Sequence, residues 1–174
     1  ERIDDIHILF LTNLLGLSGD ISKIKKICDE KGIPLIEDNC ESLGSIVDGK
    51  KLGNFGLAST FSFFVGHHIS TIEGGMVCTD DEDLFDMLLM VRAHGWNRNL
   101  SESKKDFLRK RNNINPFYDK YTFYHLGYNL RPTEITGFLG LKQIDYWDLI
   151  CNKREENFKR FQKVALKNRK IIPL

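Results

Sequence analysis

Short apolar runs alternate with longer amphipathic stretches along the first part of the chain, which is the pattern of an α/β domain. Residues 6–12 are almost continuously apolar and predict a buried strand. Asp20 predicts the N-cap of a helix that ends at Gly32 and carries isoleucines at helical spacing. Residues 34–36 predict the next buried strand, which runs into an acidic pair at 37–38. This strand–helix–strand order is typical of a crossover unit in a parallel sheet.

Two further strands and a helix are predicted in the middle of the chain. Residues 58–64 and 76–79 have the small and apolar composition of strands. Asp80 and Asp81 predict the cap of a helix over 84–93. Ligands of open α/β sheets bind beyond the carboxyl ends of the strands, so polar residues at those ends are the first candidates for chemistry.

The remainder of the chain is predicted to be a long loop followed by two helices. Residues 96–121 are polar and irregular, and we interpret the basic run 104–111 within them as solvated loop rather than a binding patch. Two amphipathic helices are predicted over 132–147 and 148–168. Pro132 suits the first position of the former helix.

Composition narrows the class of protein further. The 174 residues carry a formal net charge of +1, which gives no electrostatic basis for binding nucleic acid or an anionic membrane. The 4 cysteines are widely spaced without a metal-binding pattern, as expected of reduced thiols. The apolar stretch 6–17 is too short to span a bilayer, and its acidic flank is unlike a secretion signal. We therefore expect a soluble cytoplasmic protein without a metal site, a nucleic-acid partner or a membrane partner.

Candidate chemistry lies just beyond two of the predicted strands. Asp38 ends one strand, and a carboxylate there could pair with a cationic ring nitrogen, bind a metal or cap a helix. His67 and His68 follow another strand, but adjacent histidines on extended backbone point to opposite faces and make a poor chelating pair. Ser62 offers a hydroxyl, and Gly74 permits close approach of a ligand to the backbone. Spacing alone supports no more than an anion or cofactor site.

Several short motifs occur in the order found in the DegT-type sugar aminotransferases. They are Glu37-Asp38, Glu41 with Leu43-Gly44, Gly53-Asn54-Phe55-Gly56, Phe61-Ser62-Phe63-Phe64, Glu73-Gly74-Gly75-Met76-Val77, Val91-Arg92-Ala93-His94-Gly95 and the run from Leu126 to Glu134. The chain resembles this family over nearly its whole length. The resemblance implies a pyridoxal-phosphate enzyme of the aspartate aminotransferase fold, that is, fold type I. Residues 1–147 would then be part of the large cofactor-binding domain, and 148–174 the connecting helix and start of a C-terminal small domain.

One position departs from the aminotransferase pattern. Where the aminotransferases carry a lysine 5 residues after the phosphate-binding serine, counting from Ser62 reaches His67. An imidazole cannot form the Schiff base that a lysine amine forms with the cofactor aldehyde. This exchange resembles the branch that uses pyridoxamine phosphate to remove the 3-hydroxyl of nucleotide-linked 4-keto-6-deoxy sugars. The resemblance implies such a dehydratase of deoxysugar and O-antigen biosynthesis, with His67 as the base.

The same resemblance assigns roles to other residues. Asp38 would pair with the pyridine nitrogen, Ser62 would bind the cofactor phosphate, and Glu41 would lie near the phenolic oxygen of the ring. Asn129 would reach the phosphate of the partner subunit's cofactor, which implies a homodimer. Glutamate would regenerate the amine form of the cofactor. The segment 96–121 contains no cysteine, so we expect the colitose-type branch, without an iron–sulfur cluster.

Two alternatives remain open from the sequence. The chain could come from an aminotransferase-like enzyme of altered chemistry, or from a family member that keeps the fold without turnover. The family's phosphate-binding turn and stacking aromatic residue would precede Glu1, and the rest of its small domain would follow Leu174. We therefore expect this polypeptide by itself to bind the cofactor weakly and to be inactive.

Overall fold

The computed structural model describes residues 5–168 and 170–171, and its centre is a 4-stranded sheet. The strands are β1 (Leu9–Thr12), β2 (Leu35–Asp38), β5 (Ala58–Ser62) and β6 (Gly75–Cys78), in the spatial order β1-β2-β5-β6. The first three run parallel, and β6 pairs antiparallel with β5. The predicted α/β fold with a mostly parallel sheet is confirmed.

Helix α1 (Ile21–Lys31) connects β1 to β2 and packs on one side of the sheet, which we call the core face. Its first turn is capped by the Asp20 carboxylate, which accepts the Lys23 N–H at 3.1 Å. Gly32 ends the helix in the left-handed conformation, so both predicted ends are confirmed. The buried core on this face consists of Ile21, Cys28, Ile33, Leu35, Leu52 and Phe55.

The connection between β2 and β5 also lies on the core face. It contains a small antiparallel hairpin of β3 (Ile46–Val47) and β4 (Lys50–Lys51). The residues after this hairpin bring the buried side chains of Leu52 and Phe55 into the core. The connection therefore packs beside α1 and completes the cover of the core face.

Helix α2 (Glu82–Val91) follows β6 and is capped by Asp81, whose carboxylate accepts the Leu84 N–H at 2.7 Å. The segment 123–130 lies antiparallel against the residues that follow α2, with bridges from Ala93 to Asn129 and from Trp96 to Phe123. Only glycine fits at the crossing, because a Cβ on Gly95 would lie 1.8 Å from the His125 carbonyl oxygen.

The prediction of a continuous loop over 96–121 is wrong, because α3 (Glu102–Arg111) lies within it. This helix has no buried face, so it lacks the apolar stripe by which helices are found in a sequence. Caps and charges define it instead, with Ser101 as N-cap and a cluster of basic residues in the last turn. The interpretation of 104–111 as loop is also wrong, and within this run Lys104 forms salt bridges to Asp83 and Asp86 of α2 at 3.0 and 3.1 Å, which dock α3 on α2.

The two predicted C-terminal helices are present as α4 (Glu134–Ile144) and α5 (Trp147–Ala165). The prediction that Pro132 is the first helical residue is wrong, because Thr133 is the N-cap and accepts the Thr136 N–H at 3.2 Å. None of the residues of α4 is buried. Large apolar side chains exposed on the two helices include Ile135, Phe138, Leu141, Ile144, Leu149, Phe161 and Val164. No helix in the described part of the chain has the length and hydropathy needed to cross a membrane.

Candidate active site

Strand alternation separates the two acidic residues at the end of β2. Leu35 and Glu37 are buried on the core face, whereas Ile36 and Asp38 are half-buried on the opposite side. We call this opposite side the open face, since Phe10 of β1, which pairs with Ile36, is 56% exposed. The two carboxylates therefore belong to different environments although they are adjacent in the chain.

Glu37 is a structural residue of the core face. Its side chain is fully buried, and its two oxygens accept the backbone N–H groups of Gly53 at 2.6 Å, Phe55 at 2.6 Å and Gly56 at 2.8 Å. Gly53 has a φ of +96°, and a Cβ there would lie 2.7 Å from the Phe61 ring. Glu37 thus fastens the loop before β5, and no candidate chemistry depends on it.

Asp38 is the centre of a row of polar side chains across the open face. The parallel register places Thr12, Asp38 and Thr60 side by side on neighbouring strands. The Asp38 carboxylate accepts the Thr60 hydroxyl and the backbone N–H of Cys40, each at 3.1 Å. Of the alternatives that the sequence left open, a helix cap is wrong, because residues 40–41 form a turn rather than a helix.

Hydrogen bonding keeps Asp38 ionised. Burial raises the pKa of this carboxyl, but hydrogen bonds from Cys40, Thr60 and Thr12 outweigh it and hold the pKa below its ordinary value. The pKa of the neighbouring Cys40 thiol is raised by its burial and by the hydrogen bond to Asp38. A neutral thiol and two hydroxyls thus surround a carboxylate that remains negative at neutral pH.

His67 lies in a closed loop that connects β5 to β6. The base of the loop is fastened by hydrogen bonds from the Phe63 N–H to the Gly74 carbonyl and from the Thr71 N–H to the Phe63 carbonyl, each 2.9 Å long. Within the loop, the His67 N–H donates to the Phe64 carbonyl at 3.0 Å. The imidazole of His67 and the Phe64 ring pack edge to face, with their centroids 5.9 Å apart. The assumption of extended backbone at the histidine pair is wrong, because the chain turns and bends there.

His68 is half-buried beside the other candidate residues. Burial lowers the pKa of its imidazole, Arg154 and His67 lower it further, and Glu41 acts in the opposite direction. Its Nδ1 is buried and has no hydrogen-bond partner among the described residues. His68 is therefore neutral at neutral pH. Because the charge of Glu41 acts on its imidazole, Glu41 lies near the loop that carries His67 and His68.

Ser62 and Glu41 lie at the same end of the sheet as Asp38. The Ser62 hydroxyl oxygen accepts the Phe64 N–H at 3.2 Å, which leaves the hydroxyl proton available to a ligand. The Glu41 carboxylate accepts the backbone N–H of Leu15, at 3.0 Å, in the loop that follows β1. Four of the five predicted residues thus lie at or just beyond the carboxyl ends of β2 and β5.

Asn129, the fifth predicted residue, lies elsewhere. It belongs to the segment 123–130 beside the end of α2, and its side chain is exposed. Its Oδ1 accepts the Arg131 Nε–H at 3.4 Å, and among the described residues it forms no hydrogen bond to Thr12, Asp38 or Thr60. Within this chain, Asn129 is therefore not brought to the other four residues.

Two threonines that support Asp38 were not among the residues predicted from the sequence. Thr12 and Thr60 each follow apolar or small residues near the carboxyl end of a strand. Their position at the ends of predicted parallel strands was the signal that could have found them, since such ends meet at one edge of the sheet.

Known proteins similar to this chain belong to the family that its sequence motifs resemble. The family model described as "DegT/DnrJ/EryC1/StrS aminotransferase family" matches residues 7–172. The GDP-4-keto-6-deoxy-D-mannose 3-dehydratase of Yersinia pseudotuberculosis is 42% identical over 156 residues, which are 90% of this chain and 39% of that protein. This chain thus spans about two fifths of the length of that relative.

Solved structures of similar proteins share the fold. The E. coli GDP-4-keto-6-deoxy-D-mannose 3-dehydratase with bound hydrated PLP superposes with a TM-score of 0.81 at 36% identity, over 95% of this chain and 42% of that one. A GDP-4-keto-6-deoxymannose 3-dehydratase with a trapped PLP–glutamate geminal diamine gives a TM-score of 0.71 at 37% identity, over 83% of this chain and 37% of that one.

Proposed function

The chain belongs to the DegT/DnrJ/EryC1/StrS aminotransferase family, and on this basis we propose that its protein is a pyridoxamine-phosphate-dependent 3-dehydratase of a nucleotide-linked 4-keto-6-deoxy sugar. The relatives named above favour the GDP-linked mannose derivative as substrate. The position of His67 is the observation that carries the proposal. This histidine follows Ser62 by 5 residues and lies in a closed loop at the same end of the sheet as Asp38. Deoxysugar and O-antigen synthesis in the cytoplasm is the corresponding biological role.

The residues of the open face fit a pyridoxal or pyridoxamine phosphate cofactor. Asp38 is a carboxylate held ionised by its hydrogen bonds, and such a group complements a protonated ring nitrogen. Ser62 has a hydroxyl proton available for a phosphate oxygen. Glu41 would lie at the phenolic side of the ring. When bound, the cofactor supplies an electron sink that allows the hydroxyl at the neighbouring sugar carbon to leave.

His67 would move the protons of the reaction. A neutral imidazole can accept a proton from the carbon that bears the cofactor's amine and then deliver it to the departing hydroxide. Because an imidazole cannot tether the cofactor as a lysine amine does, the cofactor would be held by noncovalent contacts alone. Asp38 would keep the ring nitrogen protonated throughout, and the closed loop would fix the distance of the imidazole from the ring.

Product analysis tests the proposed function. The full-length protein that contains this chain is incubated with GDP-4-keto-6-deoxy-D-mannose, pyridoxal phosphate and glutamate, and the nucleotide sugar is examined by mass spectrometry and NMR. We expect loss of the 3-hydroxyl, about 10²- to 10⁴-fold slower in His67→Asn. His7→Asn, a change at an exposed histidine near the start of β1, is the matched control and should retain full activity.

Two outcomes would contradict the proposal. Formation of a 4-amino sugar with the 3-hydroxyl retained would indicate an aminotransferase of altered mechanism. Absence of any product, with the cofactor bound and the same preparation competent for glutamate transamination, would exclude this substrate, and the same result with other nucleotide-linked 4-keto-6-deoxy sugars would exclude the dehydratase assignment. Full activity in His67→Asn would remove the base assignment while leaving the reaction in place.

The assembly is part of the same proposal. We place residues 1–147 in the cofactor-binding domain and 148–174 at the start of a small domain. The exposed apolar side chains of α4, α5 and the segment 123–130, where Leu126 is 97% exposed, support further protein packed against this end. A homodimer in which Asn129 binds the phosphate of the partner's cofactor accounts for the exposed position of its side chain.

Mixed dimers test the sharing of residues between subunits. His67→Asn and Asn129→Ala each inactivate both sites of their own homodimer under this proposal. A mixed dimer of the two variants contains one site with both changes and one with neither, so mixing should restore part of the activity. If mixed dimers form without regain, Asn129 does not act across the interface.

A further inference from the structure

A side-chain amide on α4 fastens the loop that carries His67. Gln143 Oε1 accepts the Ser70 N–H at 2.9 Å, and Gln143 Nε2 donates to the Ser70 carbonyl. The same Nε2 donates to the Leu139 carbonyl at 3.0 Å, which fixes the amide relative to its own helix. Both protons of the amide and one of its acceptor sites are therefore used, which fixes the orientation of the amide. We call the pair of hydrogen bonds between Gln143 and the Ser70 backbone the bracket.

The backbone of α4 also approaches this loop closely. A Cβ on Gly140, one turn before Gln143, would lie 3.3 Å from Thr71 Cγ2. Thr71 is buried, and its hydroxyl donates to the Glu73 carbonyl at 2.7 Å. The helix and the loop thus meet along residues 70–71, through a small residue and a polar bracket.

Two hydrogen bonds within the loop also act on this stretch, from the Thr71 N–H to the Phe63 carbonyl at 2.9 Å and from the Ile72 N–H to the Ser70 hydroxyl at 3.2 Å. Val65 and Ile72 are 65% and 62% exposed, and Ile69 is the buried apolar residue between them. Ile72 has a φ of +74°, an unfavourable conformation for a β-branched residue, which persists only when the surroundings impose it. The hydrogen bonds to Gln143 join Ser70, three residues after His67, to α4, so their loss would let the loop shift relative to that helix.

We propose that Gln143 is a positioning residue that sets the place of the His67 imidazole through its bracket on Ser70. This inference rests on the proposed function, since it gives Gln143 a part in the proton transfers assigned to His67. Gln143 itself need not touch the cofactor or the substrate. A misplacement of about 1 Å can cost on the order of 100-fold in rate, so loss of the bracket should lower kcat about 10- to 100-fold with little change in KM.

Substitutions in the cofactor-loaded protein separate positioning from mere stability. Gln143→Ala removes both hydrogen bonds to Ser70. Gln143→Glu keeps the side-chain volume and the acceptor for the Ser70 N–H, but it replaces the NH₂ donor by an oxygen that faces the Ser70 carbonyl. Both should lower kcat, whereas a packing role alone would tolerate the glutamate. Lys142→Ala is the matched control, an exposed neighbour whose ammonium lies 5.6 Å from the Phe138 ring, and it should retain wild-type kcat.

A double-mutant cycle with His67→Asn supplies a readout that stability alone would not move. If Gln143 acts through His67, then Gln143→Ala should slow the reaction of wild type but have almost no effect in the His67→Asn background. The same fold-loss in both backgrounds would overturn the inference. So would a wild-type kcat for Gln143→Ala.

Amide hydrogen exchange of residues 64–74 gives an answer that does not depend on turnover. The Ser70 amide should lose protection in Gln143→Ala and keep it in Lys142→Ala. Unchanged protection would show that the bracket does not hold the loop and would overturn the inference by itself. If wild type forms no dehydrated product, the proposed function fails, and the exchange result then decides separately whether Gln143 holds the loop.

Discussion

The two faces of the central sheet use similar carboxylates in opposite ways. On the core face, Glu37 is fully buried and its oxygens are occupied by backbone N–H groups of the loop 53–56. On the open face, Asp38 is half-buried and held by the side chains of Thr12 and Thr60 and by Cys40. Since the residues are adjacent, strand alternation alone decides which of them is structural and which remains available to a ligand.

A carboxylate that is fully buried among backbone donors, as Glu37 is, lies out of reach of a ligand. One that is supported from the side by hydroxyl and thiol groups keeps its charge and can still meet a cation. The distinction predicts that changes at Glu37 act on stability and changes at Asp38 act on catalysis. Substitutions on the two faces test this division.

The largest effect is expected for Glu37→Gln. A glutamine offers one acceptor oxygen and turns an NH₂ group toward the backbone donors, so buried N–H groups lose their partners. We expect the free energy of unfolding to fall by about 2–4 kcal/mol, measured by chemical denaturation. Glu30→Gln, an exposed change on α1, should stay within about 0.5 kcal/mol of wild type. A comparable loss of unfolding free energy in both variants would mean that the hydrogen bonds from the loop 53–56 to Glu37 do not contribute specifically to stability.

Asp38→Asn should show the reverse behaviour. The side chain keeps its shape but loses the charge that would pair with the ring nitrogen. We expect kcat/KM to fall about 10- to 100-fold, corresponding to about 1.5–3 kcal/mol for a hydrogen bond to a charged group, while the free energy of unfolding changes less than in Glu37→Gln. An Asp38→Asn protein that is unfolded rather than slow would contradict the division between the faces.

Gly53→Ala tests the same loop by changing a residue whose backbone N–H donates to Glu37, and not Glu37 itself. Gly53 has a φ of +96°, and an added Cβ would lie 2.7 Å from Phe61 Cζ. Gly49→Ala is a matched control, with a φ of +77° and no atom within 4 Å of the added Cβ. We expect losses of about 2 kcal/mol at Gly53 and about 1 kcal/mol at Gly49, both from thermal or chemical unfolding. Equal losses would show that backbone strain alone accounts for both.

The smallest effect is expected in the dependence of stability on pH. The pKa of His68 is lowered in the folded protein, so the unfolded chain binds more protons and stability should fall as pH drops below about 6.5. The Asp38 pKa is also lowered, so its stabilising contribution is present at neutral pH and lost only in a more acidic range, below about pH 4. His68→Asn should flatten the first of these windows, and an unchanged slope would contradict the role given to that imidazole.

The four strands of the central sheet, α1 and the family were predicted from the sequence, but the small hairpin and the contacts that define the site were not. Apolar runs and the caps at Asp20 and Gly32 are local signals, and they placed their elements correctly. Helix α3 has no buried face, so its periodicity is absent from the sequence. Gln143 is 73 residues from Ser70, and no local pattern reports such a contact. The different environments of Glu37 and Asp38 became visible only once the register was known.

Proton removal at the methylene carbon of pyridoxamine phosphate tests the role of His67 most directly. The cofactor is deuterated at the carbon that bears its amine, loaded onto the protein, and mixed with GDP-4-keto-6-deoxy-D-mannose while release of deuterium into water is followed. Wild type should release the label at the rate of dehydration, and His67→Asn should do so at least about 100-fold more slowly. Release at the wild-type rate from His67→Asn would show that another group is the base.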